Sequence, residues 1–301
     1  MNGKPKRPWR MLAPLAASLV VFLLWSGYWL VANSTAQKYA ALYRDQLAER
    51  GFSFVCDAEN WGGYPFRIEF TCEKPVINFP GGRSFRSQAL FAVAQAYDPT
   101  HVIVLADGPS KAVLPNNEIK KLAHGQAVVS IVARSGGTSI SAEIPNFDSA
   151  DVFAAENIQL HTRPAADGGN DIALTITGAV YRPFDQPPLM IDRAQALGTL
   201  KGEVIDITDM QIAQGNVKLW GKGAAHLDAA HRIAGQIEVQ TNDLKGLFQI
   251  IDPYISLSQQ DRAALLTLLG LFGQGAKAPL VARDGDIYLG PVKLGELAPL
   301  Y

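Results

Sequence analysis

Residues Met11 to Ala32, reading MLAPLAASLVVFLLWSGYWLVA, run for 22 positions without a charged side chain, and Lys4, Lys6, Arg7 and Arg10 stand directly in front of them. A helix of that length crosses a hydrocarbon core of about 30 Å. The basic flank stays on the cytoplasmic side. The expected order is a cytoplasmic basic tail (1–10), a transmembrane helix (11–32), a juxtamembrane helix (33–51) and an exported domain (52–301). In a bacterial cell that is a single-pass anchor in the inner membrane with the bulk of the chain in the periplasm, where disulfides persist. A cleaved signal peptide is the competing reading, because Ser34 and Ala36 make a small-x-small pattern before Gln37. Signal h-regions run about 7 to 15 residues. Trp25, Tyr28 and Trp29 are also the kind of ring that settles at a membrane interface, so the retained anchor is favoured.

Charge removes other classes. Residues 33–301 carry 23 basic and 28 acidic side chains, a net of −5, whereas a nucleic-acid partner calls for a basic stripe. The same balance gives no general electrostatic hold on anionic lipid. The two cysteines, Cys56 and Cys72, lie 16 positions apart in strand-like runs, FSFVC and RIEFTC, joined through WGGYP turn chemistry. A disulfide between them closes a loop worth about 3 kcal/mol in the chain-entropy model. Two unpaired buried thiols are the alternative.

After the apolar run, Ser34 is a candidate cap for a helix through QKYAALYRDQLAER to Gly51. That helix continues the membrane segment and places Tyr39, Leu42, Tyr43 and Leu47 on one docking face. From Phe52 to about Thr241 the pattern changes to short alternating runs such as RIEFTCEKPVINF, HVIVLAD, DIALTITGAVY and GQIEVQT, broken by glycine-rich turns at 80–82, 135–137 and 167–170. Close spacing with few helices predicts antiparallel meanders. Prolines at 183, 187 and 188 suggest a subdomain joint near 182–196. The fold class expected is mainly β (α+β): a transmembrane helix, then a large curved antiparallel sheet with a few helices. Two of these fall near the C-terminus, one through LKGLFQII starting at Thr241 or Asn242, the other from Gln259 to Phe272 behind an S-x-x-D capping box. The second is apolar around most of its circumference, and Leu265, Leu268, Leu269 and Phe272 are candidates to line an apolar groove. Core burial is the plainer use of such a helix.

The chain contains no G-x-S-x-G, H-E-x-x-H, C-x-x-C or Walker-type sequence, so no catalytic residue, cofactor or metal is assigned. His226, Asp228 and His231 in HLDAAH have metal-like spacing that a solvated hairpin tip explains equally well. The densest local signature is Trp61, Gly62, Gly63, Tyr64, Pro65, Phe66 and Arg67. It reads as a rigid turn in which glycine bends the backbone and the rings pack on a sheet; its functional reading is a recognition tip of exposed aromatics.

With GYPFRIEF near one end and DGDIYLGPVKLGELAPL at the other, the chain resembles a proteobacterial family known as domain of unknown function 2125. The resemblance rests on Gly63, Tyr64, Pro65, Phe66 and Arg67, and on Gly285, Gly290, Leu297 and Pro299. It brings no catalytic residues. In layout alone the chain is similar to AsmA-like envelope proteins, in which one anchor precedes a long curved sheet implicated in lipid handling or outer-membrane assembly. Two roles follow as expectations. One is lipid handling or cell-envelope biogenesis through an apolar groove; the other is a structural or interaction module that holds an envelope protein. An enzyme without a recognised motif is the third class.

Overall fold

The computed structural model describes residues 9–255, 277–290 and 292–299, together with 259, 262, 263 and 267. Among these the protein is mainly β, with two α-helices and twenty strands in two antiparallel sheets, neither of which closes on itself. Its contacts divide it into two compact units, residues 1–106 with 112–119 and residues 107–111 with 120–301.

Unit 1 begins with helix α1 (Trp9–Glu49), 41 residues without a break and about 60 Å long. It is long and apolar enough to cross a membrane. Ser34 does not start a second helix, because its hydroxyl donates to the Val31 carbonyl at 3.0 Å within the continuous one. The end is sharply defined. Gly51 adopts φ +81°, the Gly51 N–H bonds the Ala48 carbonyl and the Phe52 N–H bonds the Leu47 carbonyl, which is the Schellman pattern with glycine at C′.

Strands β1 (Ser53–Val55), β2 (Ala58–Gly62), β3 (Arg67–Glu73), β4 (Val76–Phe79), β5 (Arg83–Arg86) and β6 (Ala89–Gln95) follow within unit 1. The run RIEFTCEKPVINF, expected as one strand, is two. Lys74 takes φ 45° before Pro75, and the chain passes from β3, paired with β2 and β6, to β4, paired with β1 and β5. Strands β7 (Asp98–Asp107), β8 (Ser110–Val113) and β9 (Ile119–Leu122) occupy the stretch in which the division between units falls. Cys56 and Cys72 form the disulfide, with Cα atoms 5.4 Å apart, inside the range that bridging needs.

Unit 2 is a meander. Strands β10 (Ala127–Arg134), β11 (Gly137–Asp148), β12 (Phe153–Pro164), β13 (Asn170–Tyr181), β14 (Leu189–Lys201), β15 (Val204–Gln214), β16 (Val217–Leu227), β17 (Ile233–Thr241), β18 (Lys277–Arg283), β19 (Asp286–Leu289) and β20 (Val292–Glu296) pair in sequence order, each antiparallel to the next. The register sorts the side chains by face. Val129, Ala142, Leu160, Leu174, Ala196 and Met210 sit opposite one another from β10 to β15, while Glu143, Gln159, Thr175, Gln195 and Gln211 make the neighbouring row. Adjacent residues of a strand point to opposite faces, so one face is apolar and the other polar. Of the stretch 182–196, where a joint was expected, residues 182–188 connect β13 to β14 and residues 189–196 belong to β14, the two strands pairing from Asn170 with Leu200 to Tyr181 with Leu189. Helix α2 (Leu244–Ile251) is capped by Asp243, whose carboxylate accepts the Gly246 N–H at 2.8 Å, one residue beyond the expected start. The groove candidates Leu265, Leu268, Leu269 and Phe272 lie outside the described residues.

Replacing both Cys56 and Cys72 by Ala should lower the unfolding free energy of unit 1 by about 3 kcal/mol, the loop-closure value for a ring of this size. Urea denaturation of the oxidised parent beside the double variant measures it, with equal stabilities as the opposing result.

Candidate functional site

The turn Gly63–Phe66 joins β2 to β3 and meets α1. Gly63 has φ +97°, and a Cβ there would lie 2.6 Å from the Arg67 carbonyl oxygen, so only glycine fits. Three aromatic donors of α1 reach backbone acceptors on the sheet. The Trp25 indole N–H donates to Pro65 O at 2.8 Å, the Tyr28 hydroxyl to Ala96 O at 2.7 Å, and the Trp29 indole N–H to Arg67 O at 2.7 Å. Ser26 Oγ and the Tyr64 hydroxyl are 2.9 Å apart. Trp29, only 7% exposed, packs on Ile68 and Ala96 and meets Tyr64 edge-on with ring centroids 5.3 Å apart. Each bond gives a backbone carbonyl in or beside the turn a side-chain donor from α1.

Beyond Trp29 the helix presents small residues to the sheet. Ala32 and Ala36 pack beside Trp29. Ala36, Ala40, Tyr43, Arg44 and Leu47 then face Phe54, Trp61, Ile68, Phe70, Ile77, Leu90 and strand residues up to Val104 across a cavity of about 510 Å³. The expected docking stripe is corrected here. Tyr39 and Leu42 are exposed, Tyr43 reaches the cavity while remaining largely exposed, and of the four only Leu47 turns inward. Side-chain size misled the reading, because the helix approaches the sheet on its alanine face. Arg44 is the one charged residue in the lining. Its guanidinium pairs with Glu59 at 2.7 Å and lies 5.1 Å and 5.5 Å from the Phe54 and Phe70 ring centroids, so its charge is balanced and its plane stacked.

Other groups offer less chemistry. Ser110 Oγ is 2.7 Å from His124 Nε2, and His124 Nδ1 is 2.6 Å from the Gly125 carbonyl. A carbonyl only accepts, so Nδ1 carries the proton and Nε2 accepts from the serine, which resembles a nucleophile and base. Ser110 is 1% exposed, however, so its hydroxyl is closed off from the surface in this arrangement. The histidine pattern 226–231 also resolves structurally. The Asp228 carboxylate accepts the Arg232 N–H at 2.9 Å and pairs with the guanidinium at 2.8 Å. The backbone bond first and the arginine second hold its pKa below the ordinary carboxylate value, so the stability this closure contributes is fully present above that ordinary value and is lost as pH falls below it through the depressed one. No group of three or more His, Cys, Asp or Glu is placed to hold a metal ion among the described residues. A concavity of about 660 Å³ on unit 2, between Asp206, Lys222, Glu238 and Lys277, is open and polar, with Glu238 and Lys277 paired at 2.9 Å.

The sheet, the tryptophan-docked turn and the C-terminal hairpin strands β18 to β20 all fall within a single family's sequence profile, which matches residues 29–298. The chain belongs to DUF2125, the uncharacterized proteins conserved in bacteria. Comparisons with curated proteins and with solved structures match nothing. The DUF2125 match begins at Trp29, the most deeply buried of the three aromatic donors.

Changing Trp29 to Ala should destabilise unit 1 by about 3 to 5 kcal/mol, the range for a truncated buried aromatic. Trp29→Phe, which removes the N–H and keeps most of the ring, should cost about 1 to 3 kcal/mol through the unsatisfied Arg67 carbonyl. A Trp29→Phe variant as stable as the parent in urea denaturation would mean that the hydrogen bond contributes nothing.

Proposed function

We propose that the protein is anchored in the inner membrane by residues 11–32, with residues 52–301 in the periplasm, and that unit 1 shelters an acyl chain of a membrane lipid. The observation that carries this reading is the 510 Å³ cavity with its almost wholly apolar lining. Small-ligand pockets run about 300–1,000 Å³ and are mostly hydrophobic, but they ordinarily carry several polar groups that orient a ligand. Here the one charged group is already paired, which suits a hydrocarbon chain. The source of the chain follows from α1. The helix that is apolar enough to cross the bilayer also forms one wall of the cavity, and Ala36 lies only seven residues past Trp29, about 10 Å along the axis. The apolar face of the unit 2 meander has the same chemistry and supports a lipid-handling or envelope-biogenesis role.

A second reading, an interaction module for an envelope protein, is favoured by Tyr39, Leu42 and Tyr43, which stand exposed on α1 beyond the apolar run. Exposed apolar side chains gathered on one element mark partner surfaces.

Alkaline phosphatase fused after Tyr301 should be active, and a cytoplasmic reporter at the same site inactive; the reverse pattern overturns the topology. Full-length protein extracted in mild detergent should carry acyl chains in native mass spectrometry and bind a fluorescent polyene fatty acid saturably. Ala40→Phe, which projects a ring into the cavity, should weaken both with little loss of melting temperature. A parent protein with neither bound chains nor saturable uptake, or an Ala40→Phe variant that binds like the parent, removes the lipid reading and leaves the interaction module.

A further inference from the structure

We infer that the turn Tyr64–Pro65–Phe66, with Tyr97 beside it, dips into the interfacial layer of the bilayer that α1 crosses, so that the domain rests on the membrane at a second point as well as hanging from its helix. This rests on the anchor reading above. The first argument is length. Arg10 is the last charge before the apolar run, and a hydrocarbon core of about 30 Å takes about 20 helical residues from there. Trp25 lies fifteen residues beyond Arg10, about 22 Å along the axis, and Trp29 four residues further. Their indoles hold Pro65 and Arg67. The turn bonded to them is therefore level with the outer part of the span and not above it.

The second argument is independent of depth. Non-helical backbone survives near hydrocarbon only where protein satisfies its polar groups. In this turn Pro65 has no N–H. The Pro65, Arg67 and Ala96 carbonyls each receive a side-chain donor from α1, and the Phe66 carbonyl receives the Ala96 N–H at 2.8 Å. The Gly63 carbonyl receives the Arg67 N–H at 2.9 Å. What the turn shows to its surroundings is aromatic, with Tyr64, Phe66 and Tyr97 47%, 62% and 63% exposed; Tyr and Trp are the residues that membrane interfaces enrich. Arg67 follows directly, exposed and ion-paired with Glu69 at 3.2 Å, which sets the limit of insertion at the headgroups.

The test uses full-length protein in phosphatidylcholine vesicles, with a polarity-sensitive fluorophore on a single added cysteine in Phe66→Cys, Tyr97→Cys, Leu19→Cys or Arg83→Cys, the native disulfide being kept. Leu19 reports the anchor. Arg83 reports the far end of unit 1, beside Pro80, which adjoins Gly51 at the other end of α1. Labels at 66 and 97 should be blue-shifted and quenched by nitroxide lipids carrying the spin label near the headgroup, the label at 19 by lipids labelled deep in the chain, and the label at 83 by neither. Quenching at 19 with none at 66 or 97 refutes the resting turn and leaves the anchor standing. No quenching at 19 refutes the anchor itself.

Discussion

Three hydrogen bonds from aromatic side chains to backbone carbonyls hold α1 to the sheet of unit 1, and everything distinctive in that unit depends on them. Trp25, Tyr28 and Trp29 lie within little more than one helical turn and reach Pro65, Ala96 and Arg67, between 38 and 68 positions away in sequence. Each donor has an apolar body and a polar edge, so the same residues that suit a membrane interface can also fasten a turn. Gly63 makes room for the acceptor that Trp29 uses, since any Cβ there would collide with the Arg67 carbonyl.

The cavity follows from where α1 is fastened. At one end Trp29 fills the seam with a large ring; at the other Leu47 turns inward just before the Schellman ending at Gly51. Between them the helix offers Ala36 and Ala40, which are too small to fill the space under Phe54, Trp61 and Phe70. Close packing is the rule in protein interiors, and a void of this size forfeits contacts along its whole lining. An apolar occupant would restore them without any polar rearrangement, because Arg44 is already matched by Glu59 and two rings.

Much of the β architecture is visible in the sequence because it is local. Alternation in DIALTITGAVY and the glycine turns at 135–137 and 167–170 lead to β11, β12 and β13, and turn chemistry between FSFVC and RIEFTC leads to the Cys56–Cys72 bridge. The break between β3 and β4 is less visible, because it depends on one lysine with positive φ ahead of a proline. The cavity is not visible at all. Periodicity identifies a helix face by its large apolar side chains, and Tyr39 and Leu42 satisfy that pattern, yet close approach to a sheet selects the alanines. The tryptophan donors are equally hidden, since nothing local distinguishes a ring that meets lipid from one that meets a carbonyl far along the chain.

That double use of aromatic residues divides α1 into two stretches that make different demands on the sequence. A bilayer asks of a spanning helix only that it be apolar and long enough, a demand that many sequences meet. From Trp29 onward the helix must present a particular indole to Arg67, alanines to the cavity and an arginine to Glu59, each fixed by a partner on the sheet. Near Trp29 the helix thus passes from a stretch whose composition alone is apolar enough to cross a membrane to one specified by its own packing. Trp25 and Tyr28 lie in the apolar stretch by number and in the packed one by geometry, donating to the Pro65 and Ala96 carbonyls as Trp29 donates to the Arg67 carbonyl. They are the residues that fasten the apolar stretch of α1 to the sheet of unit 1.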